Sequence, residues 1–134
     1  MSGTDRRSLL KSVAAGGLAL PVLAACGGRV NSRGEAPTSG QALVAASDVP
    51  VQGGVILNDK LVVVTQPEAG TYKAFSATCT HMGCTVAMVR DNVIVCPCHG
   101  SEFSAQDGSV VRSPASRPLP PVAVVVTNGE VVTR

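Results

Sequence analysis

Short apolar runs separated by turn residues dominate the chain from Ala42 to its end. Such runs, bounded by Gly, Asn, Asp or Pro, are typical of β-strands, and no window of useful length has the 3.6-residue period of an amphipathic helix. The pattern predicts strands at Ala42–Ala45, Gly54–Leu57, Leu61–Thr65, Tyr72–Ser76, Thr85–Val89, Val93–Cys96, Ser109–Arg112, Val122–Thr127 and Glu130–Thr133.

Two turn sequences predict hairpins between these strands. Asn128-Gly129 separates two valine-rich runs, and Asn-Gly is the preferred pair for a two-residue hairpin turn. Arg90-Asp91-Asn92 interrupts the run from Thr85 to Cys96 in the same way. We therefore expect an all-β, antiparallel domain over residues 42–134.

The N-terminal pattern differs from that of the domain. A basic head is followed by a 14-residue apolar stretch, Ser12–Ala25. A stretch of this length is short for a transmembrane helix, which needs about 20 residues, and fits the apolar region of a signal peptide. The paired Arg6–Arg7 and the Ser-Leu-Leu-Lys that follows resemble a twin-arginine export signal.

The end of the apolar stretch, Leu23-Ala24-Ala25-Cys26-Gly27, resembles a bacterial lipobox. That resemblance implies that Cys26 becomes the lipidated first residue of the mature protein. A plain signal peptide with an incidental cysteine and an uncleaved anchor are the alternatives. We predict a signal peptide over residues 1–25 and a flexible tether over residues 26–41, because that second segment is rich in Gly, Ser and Pro.

Composition supports one small β-domain. The chain has 134 residues, 14 Gly and 9 Pro, and its aromatic residues are Tyr72, Phe75 and Phe103. A core of this size benefits from a metal or a disulfide. The formal charge of +2 arises in the signal segment, since eight basic and eight acidic residues remain from Cys26 onward. This balance does not favour nucleic-acid binding.

The candidate chemistry lies in two short blocks, CTHMGC at residues 79–84 and CPCHGS at residues 96–101. They contain both histidines and four of the five cysteines. The predicted hairpin between the blocks would bring them side by side. Two thiolates and two imidazoles can hold tetrahedral zinc. They can equally hold a [2Fe–2S] cluster with cysteines on one iron and histidines on the other. Each block contains one cysteine more than either site requires.

The two blocks together resemble the Rieske family. CTHMGC matches its first cluster-binding loop and CPCHGSEF its second, while Ser113-Pro114-Ala115 resembles the loop that covers the cluster. The resemblance spans residues 42–134. It implies a Rieske-type antiparallel β-sandwich with a small cluster-binding subdomain formed by two loops.

The resemblance also implies a role for each residue of the site. Cys79 and Cys96 would ligate one iron of a [2Fe–2S] cluster, and His81 and His99 the other. Cys84 and Cys98 would form the disulfide that joins the loops. The residues expected around the cluster are Gly100, Ser101, Phe103 and Pro114. High-potential members have Gly-Ser-x-Tyr where this chain has Gly-Ser-Glu-Phe, so we expect a potential below the top of the Rieske range, about −150 to +300 mV.

These features predict an exported, membrane-tethered carrier of single electrons, at the outer face of the cytoplasmic membrane or in the periplasm. Its partners would be a redox donor and acceptor such as a cytochrome, a copper protein or a quinol-oxidising complex, with a lipid on Cys26 providing the membrane contact. One alternative is a Rieske subunit of a cytochrome bc type complex or a molybdenum oxidase. Another is a zinc-stabilised binding module. No residues for autonomous catalysis stand out.

Overall fold

The structure, a computed structural model, describes residues 37–134. The predicted signal peptide, Cys26 and the first part of the predicted tether lie outside the described residues. The strands are β1 (Ala42–Ala45), β2 (Gly54–Leu57), β3 (Val62–Glu68), β4 (Thr71–Ser76), β5 (Met88–Arg90), β6 (Val93–Val95), β7 (Glu102–Ser104), β8 (Val110–Arg112), β9 (Val124–Thr127) and β10 (Glu130–Thr133). One 3₁₀ turn, Ala46–Asp48, follows β1.

Two three-stranded antiparallel sheets, in the orders β1-β10-β9 and β2-β3-β4, form the base of the domain. They share an aliphatic core, which we call the base core, made of Leu43, Val49, Val62, Val64, Ala74 and Val131. The segment just before β9 meets β4 at an edge, where the N–H of Val122 donates to the carbonyl of Ala74 at 2.9 Å. The base sheets therefore rest on burial of branched aliphatic side chains.

The third sheet is four-stranded, in the order β5-β6-β7-β8. Its register aligns four side chains across the strands, and all four face inward: Val89, Ile94, Phe103 and Val110. They pack in a second core, the site core, which also contains Cys79 and Cys96. This sheet carries the two Cys/His blocks at one end.

Strand β3 separates the two cores. Val62 and Val64 point into the base core and Val63, between them, into the site core, because successive strand residues face opposite sides. β5 also packs beside β2 at Gly54. A Cβ added at Gly54 would lie 2.5 Å from the carbonyl oxygen of Val64 and 2.9 Å from Cγ2 of Val89. Glycine at this position allows the two sheets to approach each other.

The all-β, antiparallel prediction is confirmed. Each predicted strand overlaps an observed one, and both predicted hairpins are present. Asp91-Asn92 and Asn128-Gly129 have the positive φ values of a two-residue hairpin turn. Strand β7 and the 3₁₀ turn were not predicted. The subdomain predicted as two loops also contains the whole four-stranded sheet.

Residues 38–41, which we predict to be the end of the tether, are hydrogen-bonded to the C-terminal strand. Gly40 N–H donates to the carbonyl of Thr133 at 2.8 Å, and the Ser39 hydroxyl to that of Arg134 at 3.0 Å. The chain thus enters the described domain beside β10. No helix within residues 37–134 has the length and hydropathy needed to cross a membrane.

Candidate metal centre

The two Cys/His blocks form loops with the same backbone hydrogen bonds. In the first loop, residues 79–84, Cys79 N–H donates to the carbonyl of Cys84 at 2.6 Å, and Gly83 N–H donates to that of Cys79 at 3.0 Å. The second loop, residues 96–101, has the equivalent bonds. Cys96 N–H donates to the carbonyl of Ser101 at 2.8 Å, and Gly100 N–H donates to the carbonyl of Cys96 at 3.2 Å. Both glycines have positive φ, 76° and 78°, which glycine adopts without strain.

The β5–β6 hairpin brings the two loops together, because the first loop precedes it and the second follows it. The structure contains a disulfide between Cys84 and Cys98, with Cα atoms 6.5 Å apart. It therefore links the loops across the mouth of the hairpin. The sequence separation of 14 residues corresponds to a loop whose closure stabilises the folded state by about 3 kcal/mol.

The four remaining Cys and His side chains are sorted into two pairs. Cys79 and Cys96 are both buried, at 3% and 1% exposure, in the site core. The rings of His81 and His99 lie nearer the surface, with centroids 4.8 Å apart and planes nearly perpendicular. Within residues 37–134, no three His, Cys, Asp or Glu side chains converge on one ion position.

Burial raises the pKa of the Cys96 thiol, and the neighbouring Cys79 side chain adds to the rise, while hydrogen bonds from the backbone of Cys98 and His99 oppose it. The Cys96 thiol therefore holds its proton until a cation replaces it, because burial and the neighbouring Cys79 disfavour the thiolate. The pair therefore suits metal binding better than surface nucleophilic chemistry.

A third loop, residues 113–121, covers the first two and is fixed to each of them. The buried Ser101 hydroxyl accepts a hydrogen bond from Ala115 N–H at 3.0 Å. Pro114, beside Ala115, is exposed. Phe103 lies two residues after Ser101 on β7 and is fully buried in the site core. The residues predicted to surround the site are thus placed together by the second and third loops.

The connection between the first and third loops was missed by sequence reasoning. The Thr80 hydroxyl donates to the carbonyl of Arg117 at 2.7 Å, and Arg117 Nη2 donates to the carbonyl of Thr80 at 3.2 Å. Arg117 is exposed, but it is also hydrogen-bonded to the carbonyl of Thr80, which lies between Cys79 and His81 in sequence. Residues 37 apart gave no local signal for this pair.

The comparison with protein families decides the identity of the domain. The family model for the Rieske [2Fe-2S] domain matches residues 40–125. The chain belongs to the Rieske [2Fe-2S] domain family. It therefore binds a [2Fe–2S] cluster, and the zinc-stabilised binding module is set aside.

The side chains present fit this cofactor. Nδ1 of His81 is buried and has no hydrogen-bond partner within the described residues, a costly situation for a ring nitrogen that a bond to iron would relieve. Two thiols and two imidazoles, separated into like pairs, are the donor set that the Rieske arrangement requires. Cys26, the residue predicted to carry a lipid, lies outside the described residues.

Known relatives agree with this assignment. The iron-sulfur subunit of the cytochrome b6-f complex of Chlorobaculum tepidum is 40% identical over 91 residues, 65% of this chain and 49% of the relative. A putative respiratory nitrate reductase Rieske subunit of Haloferax mediterranei is 42% identical over 67 residues, 49% of this chain and 30% of the relative. The chain therefore spans half or less of the length of these relatives.

One solved structure is also similar in sequence. The plasma membrane Rieske protein PetC3 of Synechocystis PCC 6803 is 39% identical, with a TM-score of 0.50. The match covers 55% of this chain and 75% of that one. The relationship therefore extends from the two Cys/His blocks to the fold around them.

Proposed function

We propose that this protein is an exported, membrane-tethered carrier of single electrons. Its cluster would be held by Cys79 and Cys96 on one iron and by His81 and His99 on the other. The observation that carries this proposal is the sorting of these four side chains into a buried cysteine pair and a histidine pair near the surface. The cluster, when bound, supplies reversible one-electron chemistry.

The cysteine and histidine ligands lie in different environments. The two cysteines lie in the site core, where apolar neighbours keep water from the thiolates. His99 is exposed, so the histidine side offers the shorter path to a partner. Two neutral imidazoles in place of two thiolates also make the centre less negative, which favours reduction and places the potential in the Rieske range.

Neighbouring residues would adjust the potential and hold the loops in place. The Ser101 oxygen accepts from Ala115, and its own proton has no acceptor among the described residues, so the hydroxyl can donate to a cluster or cysteine sulfur. Gly100 supplies the turn that places Ser101, and Pro114 covers the site. Phe103 contributes no hydroxyl. Donors to sulfur stabilise the reduced state, so one hydroxyl in place of two supports a potential below the top of the range.

Export and tethering are proposed from the N-terminal sequence. The twin-arginine pattern at Arg6–Arg7 fits a route for folded proteins that already carry a cofactor. A lipid on Cys26 would retain the domain at the outer face of the cytoplasmic membrane or in the periplasm, with residues 26–41 as the tether. A Rieske protein of the Synechocystis plasma membrane is consistent with this location.

A second candidate is a subunit of a multi-subunit oxidoreductase of cytochrome bc or molybdenum oxidase type. It is favoured by the relatives whose names place them in a cytochrome b6-f complex and in a respiratory nitrate reductase. In either case, the partners would be a quinol-oxidising complex, a cytochrome or a copper protein. Copurification from detergent-solubilised membranes distinguishes the two: a stable complex supports the subunit, whereas a free tethered protein supports the carrier.

The ligand assignment is tested by EPR of the dithionite-reduced protein with iron and sulfide analysis. We expect a Rieske signal that is lost in Cys79→Ala and in His81→Ala. Met82→Ala, in the same loop but with its side chain 68% exposed, is the matched control and should retain the signal. A colourless protein that contains zinc would refute the assignment.

Tethering is tested by cell fractionation. Cys26→Ala should release the protein from the membrane without affecting the EPR signal, because residue 26 is far from the ligands in sequence. Arg6→Lys with Arg7→Lys should block export and leave the protein in the cytoplasm. Membrane retention of the Cys26→Ala variant would refute the lipid anchor.

A further inference from the structure

The charges around the site are few and unequal. Three segments form it, residues 77–87, 95–102 and 112–118, and we call them the cluster end. They contain only three charged side chains: Glu102, Arg112 and Arg117. Glu102 and Arg112 neutralise each other, with Oε1 3.4 Å from Nη1. No carboxylate of residues 37–134 pairs with Arg117, so the side chains of the cluster end contribute one unbalanced positive charge, in addition to the charge of the cluster itself.

The opposite end of the same sheet is acidic. The β5–β6 turn contains Asp91 and the β7–β8 turn contains Asp107, and the two turns are joined by a 2.9 Å hydrogen bond from Ala105 N–H to the carbonyl of Asn92. The side chain of Asn92 also donates to the carbonyl of Pro67 at 3.2 Å, next to a further acid, Glu68. We call this the turn end. Arg90 is the basic residue there, so the side-chain charges are positive at the cluster end and negative at the turn end.

Each of the three loops of the cluster end exposes apolar residues, which we call the apolar surface. Met82 of the first loop is 68% exposed, and Pro97 of the second loop and Pro114 and Pro118 of the third are exposed as well. Arg117 precedes Pro118 and is also exposed. Its position is fixed because its backbone and side chain both bond to Thr80, at 2.7 and 3.2 Å. A guanidinium held in this way loses little freedom on binding, and its planar fork suits a carboxylate.

We propose that the cluster end docks on a redox protein whose electron-transfer site is surrounded by carboxylates, and that Arg117 anchors the contact. This inference rests on the proposed electron-carrier function. The apolar surface would exclude water around His99, while the acidic turn end would be repelled, so the field orients the domain with its histidines toward the partner. An anionic membrane surface fits less well, because electrostatic lipid binding uses clusters of about 4–8 basic residues.

Two small oxidants of opposite charge test the charge argument. The reduced protein gives one electron either to hexacyanoferrate(III), an anion, or to tris(phenanthroline)cobalt(III), a cation, and stopped-flow absorbance follows both reactions. The ratio of the two rate constants removes most of the effect of any change in potential, since a change in driving force acts on both oxidants in the same direction.

Arg117→Gln should lower the anion-to-cation ratio about four-fold at an ionic strength of about 10 mM, and the effect should vanish in high salt. Arg117→Lys should keep most of the ratio. Arg90→Gln removes the same charge at the turn end and is the matched control. Thr80→Val removes a bond to Arg117 without a charge change. Equal ratios in Arg117→Gln and the wild type, or an equal fall in Arg90→Gln, would refute the proposal.

A redox-inert anion gives a second measurement. Hexacyanochromate(III) should broaden the NMR signal of the Met82 methyl in the oxidised protein, and less so in Arg117→Gln. Broadening that is unchanged in that variant would contradict the proposal. Sedimentation with anionic vesicles that Arg117→Gln abolishes would assign the surface to lipid and overturn it. A normal Rieske EPR signal in every variant ensures that such a failure concerns the docking surface and not the electron-carrier function.

Discussion

The base core and the site core share strand β3 but are stabilised in different ways. The base core consists of aliphatic side chains, such as Val62, Val64 and Val131, between two sheets. The site core includes Cys79 and Cys96, and the three loops at its open end consist largely of irregular backbone. A disulfide and side-chain hydrogen bonds hold those loops together. Paired strands and aliphatic burial dominate the first region, whereas cross-links between loops are added in the second.

This difference follows from what the site must do. Ligand side chains must point inward from both loops, so the backbone there turns sharply at Gly83 and Gly100 and forms few strand pairs. Irregular loops bury less apolar surface than paired strands, and the missing stability is supplied by bonds between the loops. The base core has no such constraint and can be a plain aliphatic sandwich.

Removal of the disulfide should have the largest effect, and it should be confined to the site core. In Cys84→Ala with Cys98→Ala, the free energy of opening the loops should fall by about 3 kcal/mol, because the cross-link no longer restricts the open state. Native-state hydrogen exchange of the holoprotein measures this: amides of Cys79 and Cys96 should exchange faster, while that of Val131 should be unaffected. Equal acceleration in both cores would show that they open as one unit.

Gly54→Ala should have the next largest effect, and it should affect both cores. The added methyl would meet the carbonyl oxygen of Val64 at 2.5 Å, and a backbone oxygen in a paired strand cannot move aside. We expect a loss of about 2 kcal/mol, measured by chemical denaturation, within the usual range for overpacking. Gly70→Ala is the control. It has positive φ but open space around it, so it should cost only about 1 kcal/mol. Equal losses in the two variants would contradict the steric explanation.

The base sheets could be predicted from sequence more fully than the four-stranded sheet. β1, β2 and β10 were predicted with their observed bounds, because each combines a run of apolar residues with a clear turn on at least one side. β3 continues past its predicted end through Pro67 to Glu68. Local pattern is sufficient for the strands whose ends coincide with nearby turns.

The errors lie where long-range contacts take over. β7 has the sequence Glu-Phe-Ser, with no apolar run, and becomes a strand because β6 and β8 pair with it on both sides. Thr85, predicted to begin a strand, instead forms an isolated bridge to Thr78 at the base of the first loop. Val122 bonds to β4, so β9 begins at Val124. None of these pairings is visible in the neighbouring sequence.

The residues of the site could be predicted from sequence, but the contacts between its loops could not. The two blocks and the disulfide followed from resemblance, since their spacing alone left zinc and iron–sulfur both open. The matching backbone of the two loops and the Thr80–Arg117 pair could not be predicted, because they depend on how segments 37 residues apart come together.

Phe103→Tyr should raise the reduction potential, and in free energy this effect is smaller than the two losses of stability above. A hydroxyl at this buried position next to the second loop would donate to a sulfur and stabilise the reduced state. A gain of about 1 kcal/mol corresponds to a rise of about 40 mV in protein-film voltammetry. Phe75→Tyr is the matched control, because Phe75 lies in the same core but on β4, outside the three loops. No change, or a fall, in Phe103→Tyr would contradict the account of the potential.

The smallest effect should come from lowering the pH, and it should be confined to the turn that contains Asp107. Hydrogen bonds from the Ser109 hydroxyl and N–H, at 2.7 and 2.9 Å, hold the pKa of Asp107 below its usual value. A carboxyl group whose pKa is lowered by folding stabilises the folded state above its ordinary pKa, and this stabilisation is lost as the pH falls through the lowered value. The Gly108 and Ser109 amides should therefore become less protected from hydrogen exchange below a pH of about 4.

Asp107→Asn should remove this pH dependence and leave the reduction potential unchanged, because the turn lies at the far end of the sheet from the ligands. A shift in potential in that variant would mean that the two ends of the sheet are coupled.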